Sequence, residues 1–258
     1  MNRGWDNMSY SDRASVIAVG VENYRYMQNL SGPSKDLEKM KNLLSTNVET
    51  ALYPGNRFTQ LIDPDSNRLR KIIVDYAMAR SAPNDILVFY FSGHGVLIGN
   101  DDLGLCTVET QMHPEFKAAF PLNLVRFSDI VETLSAVKVD PVIIIDACFS
   151  GQAGSMIAYI YNQLKRSIQA ETASTYALLC SSRKIETTPD HQEGGPFSSV
   201  LVNVAKKGKD SKNFKRKEEL SLIDLHNDIR TEIESLVVDI VPQLFIGDTL
   251  PDFGFIRK

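Results

Sequence analysis

Residues 141–154 read PVIIIDACFSGQAG, and this stretch decides the fold. Val142, Ile143, Ile144 and Ile145 follow one another with no polar alternation. Such a run predicts a strand covered on both faces, as in a parallel sheet with helices above and below. Beyond Asp146 the residues turn small, which predicts a turn at the sheet rim carrying Cys148. Open α/β sheets place their chemistry at that rim. Upstream, residues 85–95 read DILVFYFSGHG, another apolar strand ending in a small-residue turn, which delivers His94. As parallel neighbours, the two strands would present a thiol and an imidazole side by side.

Working outward, β and α segments alternate. Residues 15–21 (SVIAVGV) predict a first strand. Residues 33–46 predict a helix, with Pro33 in its first turn and Leu37, Met40, Leu43 and Leu44 at helical spacing. A short strand at 57–62 ends at Asp63-Pro64-Asp65, and 67–80 predict a second helix with Leu69, Ile72, Ile73 and Tyr76 on one face. Residues 99–102 predict a hairpin turn, 103–108 a strand, 109–123 a loop, and 128–138 a third helix with Ser128 as N-cap. After Cys148, residues 155–170 fit either a helix or an ordered loop. Then 175–181 (TYALLCS) predict a strand, 183–195 a long loop and 196–205 a helix. The lysine-rich 206–219 predicts an exposed connection, 220–238 a long helix and 243–246 an edge strand. The alternation argues a doubly wound, mostly parallel α/β sheet. No repeat, low-complexity run or linker divides residues 1–258, so one domain is expected.

Composition removes several classes. The net charge of -4 argues against a general nucleic-acid binder. No apolar run approaches the roughly 20 residues that span a bilayer. The start, MNRGWDNMSYSDR, has no apolar core of a secretory signal, so neither a secretory signal nor a long N-terminal prodomain is expected. Cys106, Cys148 and Cys180 show neither CxxC nor zinc spacing, which fits a reducing cytoplasm. Cys106 and Cys180 read as small buried hydrophobes. A nucleotide binder would want a glycine-rich turn after the first strand, which Gly20-Val21-Glu22-Asn23-Tyr24 does not supply.

The remaining chemistry centres on Cys148 and His94. A thiol attacks a carbonyl as its thiolate, and a nearby imidazole can take the proton. The resulting oxyanion needs preorganised N–H donors, which the backbones of Gly95 and Cys148 can offer at the mouth of the sheet. Each motif alone is weak. A strand ending in SGHG, followed roughly fifty residues later by a strand ending in DACFSG, is hard to reach by chance.

These residues resemble the caspase-like cysteine peptidases (clan CD, peptidase C14), in particular their metacaspase-like bacterial branch. FYFSGHG is similar to the family's histidine strand and IIIDACFSG to its cysteine strand. TYALLCSS, GGPFSSVLVNVAKKG and LSGPSKDLEKM are similar to further family segments, so the resemblance runs from about Ser15 to Ile246. It implies a three-layer α/β/α sandwich around a mostly parallel six-stranded sheet. A large-subunit-like part would span about 1–160 and a small-subunit-like part about 175–258. It implies Cys148 as nucleophile, His94 as general base or acid, and Gly95 and Cys148 as the oxyanion hole. Animal caspases cut after Asp and carry glutamine two residues before the cysteine; metacaspase-like relatives carry Asp there, as Asp146 does here. A second acidic position of those relatives falls on Asp36. Two carboxylates around one pocket pair with a guanidinium or ammonium, so cleavage after Arg or Lys is expected.

The resemblance further implies a mobile loop after the cysteine strand that is sometimes cut. Lys165-Arg166 makes Arg166 a candidate processing site, and the basic 206–217 is a second candidate. No cofactor is expected; Asn100, Asp101 and Asp102 form a calcium-binding candidate but read better as a turn. Expected partners are a protein or peptide substrate and a regulatory protein or signalling ligand, with no nucleic acid and no membrane. Bacterial relatives suggest a stress or antiphage cell-death role. The competing expectation is a catalytically silent caspase-like scaffold for protein binding, which would need neither His94 nor Cys148.

Overall fold

The protein is described here from a computed structural model. It describes residues 14–47, 49–53, 55–79, 85–98, 102–113, 115, 120–137, 139–149, 177–184, 194–210, 218–236, 243–246 and 254–257. The first strand, β1 (Ala14–Gly20), is buried along its whole length, as a central strand of a covered sheet must be. Helix α1 (Pro33–Lys41) starts on proline, continues through a π turn at Asn42–Thr46, and is followed by β2 (Phe58–Ile62) and α2 (Ser66–Ala79). Then come β3 (Ile86–Ile98), β4 (Asp102–Cys106), β5 (Leu124–Arg126), α3 (Phe127–Ala136) and β6 (Asp140–Phe149). The second half supplies β7 (Ala177–Lys184), α4 (Pro196–Asp210), β8 (Glu219–Leu220), α5 (Leu222–Ser235), β9 (Gln243–Ile246) and β10 (Ile256–Arg257).

Six strands run in the order β2-β1-β3-β6-β7-β9, with β4 and β5 joined to β3 off that path. The pairs β1–β2, β1–β3, β3–β6 and β6–β7 are parallel; the edge strand β9 pairs antiparallel with β7, β4 with β3 and β5 with β4. This path is the mostly parallel six-stranded sheet that the family resemblance implies, and β4 and β5 extend it to eight strands. Strand alternation sorts the apolar runs into two cores. Leu87, Phe89, Phe91, Ile143 and Ile145 pack with Leu69, Ile73, Ile130 and Leu134 of α2 and α3. Val88, Tyr90, Val142 and Ile144 pack with Leu37, Met40, Phe197, Leu201 and Leu225 of α1, α4 and α5. The result is an α/β/α sandwich. Each fully buried large apolar side chain in it contributes about 1.5–3 kcal/mol.

Several local expectations are corrected. Strand β3 does not end in a turn at Ser92-Gly93-His94-Gly95 but runs on to Ile98, because β6 on one edge and β4 on the other give it partners. Likewise β6 carries Cys148 within the strand rather than in a following turn. Ser128 is not the cap of α3, which begins at Phe127. Instead Asp102 caps from outside, accepting from Ser128 Oγ at 2.7 Å and Ser128 N at 3.4 Å. The lysine-rich 206–219 is not all loop: α4 extends through Asp210 and Glu219 enters β8. Helix α5 starts at Leu222 behind a capping box between Ser221 and Asp224. Cys106 is buried as expected, and burial pushes its thiol up to about 12. Among the described residues no helix is long and apolar enough to cross a membrane.

Candidate active site

The site lies where β3 and β6 outrun β1. The last β1 pair is Gly20 with Ser92, whereas β3 and β6 continue in parallel register through Ser92–Asp146, Gly93–Ala147, His94–Cys148 and Gly95–Phe149. Neighbouring strands lie about 4.8 Å apart, so the backbones of positions 94 and 148 are immediate neighbours. The two-residue pleat assigns positions 92 and 94, and 146 and 148, to the face that packs on α1 and α4. Gly95 is buried between Phe149 of β6 and Leu105 of β4.

Where β1 stops, residues 21–32 cross over β3 and hold His94. Val21 N donates to Ser92 O at 3.0 Å, which seats the loop on the strand. The His94 backbone N–H donates to the Tyr24 hydroxyl at 2.8 Å, and the two rings lie 4.7 Å apart with a 44° tilt. Gly93 makes this approach feasible, since a Cβ there would sit 2.8 Å from the Tyr24 hydroxyl. His94 Nε2 lies 2.9 Å from the Gln28 carbonyl oxygen. A carbonyl only accepts, so Nε2 carries the proton and Nδ1 keeps its lone pair. Burial lowers the His94 pKa below the usual 6.5, while the Gln28 bond works in the other direction. The imidazole is therefore held neutral at neutral pH, with Nε2 tied and the Nδ1 lone pair able to act as a base.

On the same face, Asp36 of α1 is 2% exposed. Its Oδ2 accepts from Ser92 Oγ at 2.8 Å, and its Oδ1 accepts from Gly195 N at 2.6 Å and Ser198 Oγ at 2.5 Å. The carboxylate thus ties together α1, β3 and the start of α4. Gly194 has a φ of +92° and lies so close that a Cβ would fall 2.5 Å from Asp36 Oδ1 and 2.7 Å from Lys39 Nζ. Lys39 Nζ donates to Ser199 Oγ at 2.8 Å. Asp146 is also buried, level with Ser92 on one side and Ser181 on the other. Ser92 thus bonds Asp36 through its side chain and is the register partner of Asp146 on β6.

Arg166, Asn100 and Asp101 lie outside the described residues. Asp102 is engaged at the start of α3, and among the described residues no cluster of three or more His, Cys, Asp or Glu could hold a metal ion. Sequence reasoning missed Tyr24, Gln28 and Ser198. Tyr24 and Gln28 fall in the segment after β1 whose mixture of polar and aromatic residues was the only available signal. Ser198 carries no signal of its own, because its partner is 162 positions away.

Comparison with known proteins agrees with this fold. The chain is similar to metacaspase-1 of Plasmodium falciparum (isolate 3D7), at 24% identity over 96% of this chain. The match spans 43% of that relative, so this chain corresponds to less than half of its length. The fold is similar to the crystal structure of protein GSU0716 from Geobacter sulfurreducens. That match has a TM-score of 0.60 at 17% identity, covering 95% of this chain and 97% of the other. It is also similar to caspase-1 from Spodoptera frugiperda, with a TM-score of 0.59 at 13% identity and coverage of 95% and 91%. Residues 13–247 match the caspase domain of peptidase family C14, and the chain belongs to that family of cysteine peptidases.

Proposed function

We propose that this protein is a cysteine endopeptidase that hydrolyses peptide bonds after Arg or Lys. The observation that carries the reading is the register of His94 beside Cys148, with His94 Nε2 tied to the Gln28 carbonyl. His94 Nδ1 takes the Cys148 thiol proton, and the thiolate adds to the substrate carbonyl carbon. The oxyanion is stabilised by the N–H groups of Gly95 and Cys148. The imidazolium then gives its proton to the leaving amine as the C–N bond breaks, leaving a thioester. His94 next deprotonates a water molecule, which releases the acid and restores the thiol. Asp36 and Asp146 form the acidic end of the pocket for the residue before the scissile bond. Ser92, Ser198 and Gly195 support this assignment by holding the Asp36 carboxylate as an acceptor.

The enzyme acts in the cytoplasm without a cofactor, under control of a regulatory protein or signalling ligand, in a stress or antiphage cell-death response. The test is hydrolysis of fluorogenic peptides with Arg, Lys or Asp before the cleaved bond, using wild type and Cys148→Ala. Turnover of the Arg and Lys peptides that disappears in Cys148→Ala is expected. Preference for the Asp peptide would overturn the acidic pocket. Failure of Cys148 to react with a thiol-directed arginyl probe, together with no turnover, would leave a binding scaffold instead.

A further inference from the structure

We propose that Asp63 is a positioning residue for His94, acting by pinning the start of the loop that holds the imidazole. This rests on the peptidase reading, since only there does the orientation of His94 set a rate. Asp63 stands directly after β2, and its backbone N–H donates to Gly20 O at 2.8 Å, where β1 ends. Its φ is +50°, the only positive value of a non-glycine residue among those described. Such a conformation is uncommon outside glycine, with Asp and Asn best able to adopt it. Strain of this kind persists where the surroundings over-determine it, and it gathers at functional sites.

What the conformation achieves is visible in the hydrogen bonds. Asp63 Oδ1 accepts from Glu22 N at 2.8 Å and Asn23 N at 3.0 Å, and Oδ2 accepts from Asn23 Nδ2 at 2.6 Å. The next residue is Tyr24, which touches His94 with both its hydroxyl and its ring. The loop then closes on itself. Leu30 N donates to Glu22 O at 2.9 Å, and Tyr24 N donates to Asn29 Oδ1 at 2.8 Å. Residues 29 and 30 are thereby tied to 22 and 24, and the Gln28 carbonyl moves with them. Together with the backbone bonds of Val21 N to Ser92 O and Arg25 N to Val108 O, one carboxylate at the end of β2 therefore holds the loop that makes both contacts orienting His94: the hydroxyl on its backbone and the carbonyl on its Nε2. Neither contact is made by Asp63 itself, so its effect passes through the loop.

Asp63→Gly separates this role from the strain, because glycine adopts a positive φ freely while the three hydrogen bonds are lost. Misplacement of a catalytic group by about 1 Å costs up to about 100-fold. The expected result is a kcat on an arginyl peptide lower by about 10- to 100-fold with KM unchanged, the pattern of a lost transition-state interaction. Asp63→Asn recovers most of the rate, since its carbonyl still accepts both backbone N–H groups. The deciding readout is the ¹⁵N spectrum of the His94 imidazole in the full chain. Wild type shows the Nε2-protonated tautomer, and Asp63→Gly shows a mixture. Retention of the wild-type tautomer in Asp63→Gly overturns the proposal. Should that variant not fold, the exposed Asn23→Ala, which loses one bond of the three, decides by the same signal. If wild type hydrolyses nothing and Cys148 does not react with the arginyl probe, the peptidase reading fails, while the tautomer still decides the role of Asp63.

Discussion

Replacing Asp36 distinguishes what this buried carboxylate does for stability from what it does for specificity. Its three donors arrive from β3, from Gly195 and from α4. Asp36→Ala leaves a buried N–H and two hydroxyls facing a void. A hydrogen bond to a charged acceptor contributes about 1.5–3 kcal/mol, and each buried donor left unsatisfied costs about 1–3 kcal/mol. For a chain of this size each kcal/mol moves the melting temperature by about 2–4 °C, so Asp36→Ala should melt about 10 °C lower. Asp36→Asn is different. Its carbonyl can replace Oδ1, which takes two of the three bonds, and the amide can donate to Ser92 Oγ, since a hydroxyl also accepts. The loss is then that of charge assistance, about 1 kcal/mol, and the melting temperature falls by about 3 °C. Specificity should respond the other way round. Without the negative charge, kcat/KM for an arginyl peptide should fall about 10- to 100-fold in Asp36→Asn, the kinetic equivalent of one charged hydrogen bond. Differential scanning calorimetry and peptide hydrolysis on the two variants read both quantities. An arginyl kcat/KM in Asp36→Asn equal to wild type would refute the assignment of Asp36 to the pocket. A wild-type melting temperature in Asp36→Ala would refute the hydrogen-bond network.

Three further outcomes follow from other parts of the molecule. Gly93→Ala places a Cβ 2.8 Å from the Tyr24 hydroxyl and 3.0 Å from Phe91 Cζ, so Tyr24 must shift and peptide turnover should drop; crystallography of the variant with Tyr24 unmoved would contradict this. Burial lowers the pKa of both His94 and His226 below the usual 6.5, so below about pH 6.5 the unfolded chain binds more protons than the folded one. Their contribution to stability is thus present above that pH and lost as pH falls through the folded values; urea midpoints at about pH 7.5 and about pH 5.5 should differ, and less so in His226→Gln. Burial raises the Glu219 pKa above its usual 4.5, with Arg257 opposing and Glu218 adding to the shift. A raised carboxyl contributes stability that is complete below the unfolded pKa and disappears as pH rises through the folded one, so Glu219→Gln should raise the neutral-pH melting temperature, with no gain below about pH 4.5.

The parts of the site that the sequence made legible are those carried by local pattern. The unbroken apolar runs before His94 and Cys148 announce strands buried on both faces, and helical spacing from Leu37 to Leu44 announces α1. Where structure depends on a distant partner, local pattern misleads. Ser92-Gly93-His94-Gly95 looks like a turn because its residues are small, yet pairing with β6 and β4 keeps it extended. Strands β8 and β10 are two residues each and exist only because they pair with one another across more than thirty positions of chain. Ser128 has the composition of a cap, but Asp102 reaches the helix start from a neighbouring strand and takes that place.

The sequence by itself determined the alternating α/β plan, the two motifs of the candidate site, and membership of the caspase-like group, because each is written in contiguous residues. Only the tertiary structure decided how those residues are held. The neutral, singly tethered state of His94 needs the Gln28 carbonyl and Tyr24 hydroxyl brought over from the end of β1. The burial of Asp36 needs Gly195 and Ser198, about 160 positions away, to donate into its carboxylate. Hydrogen-bond direction and burial are properties of what surrounds a group in space, and a chain's order along the sequence does not state its neighbours.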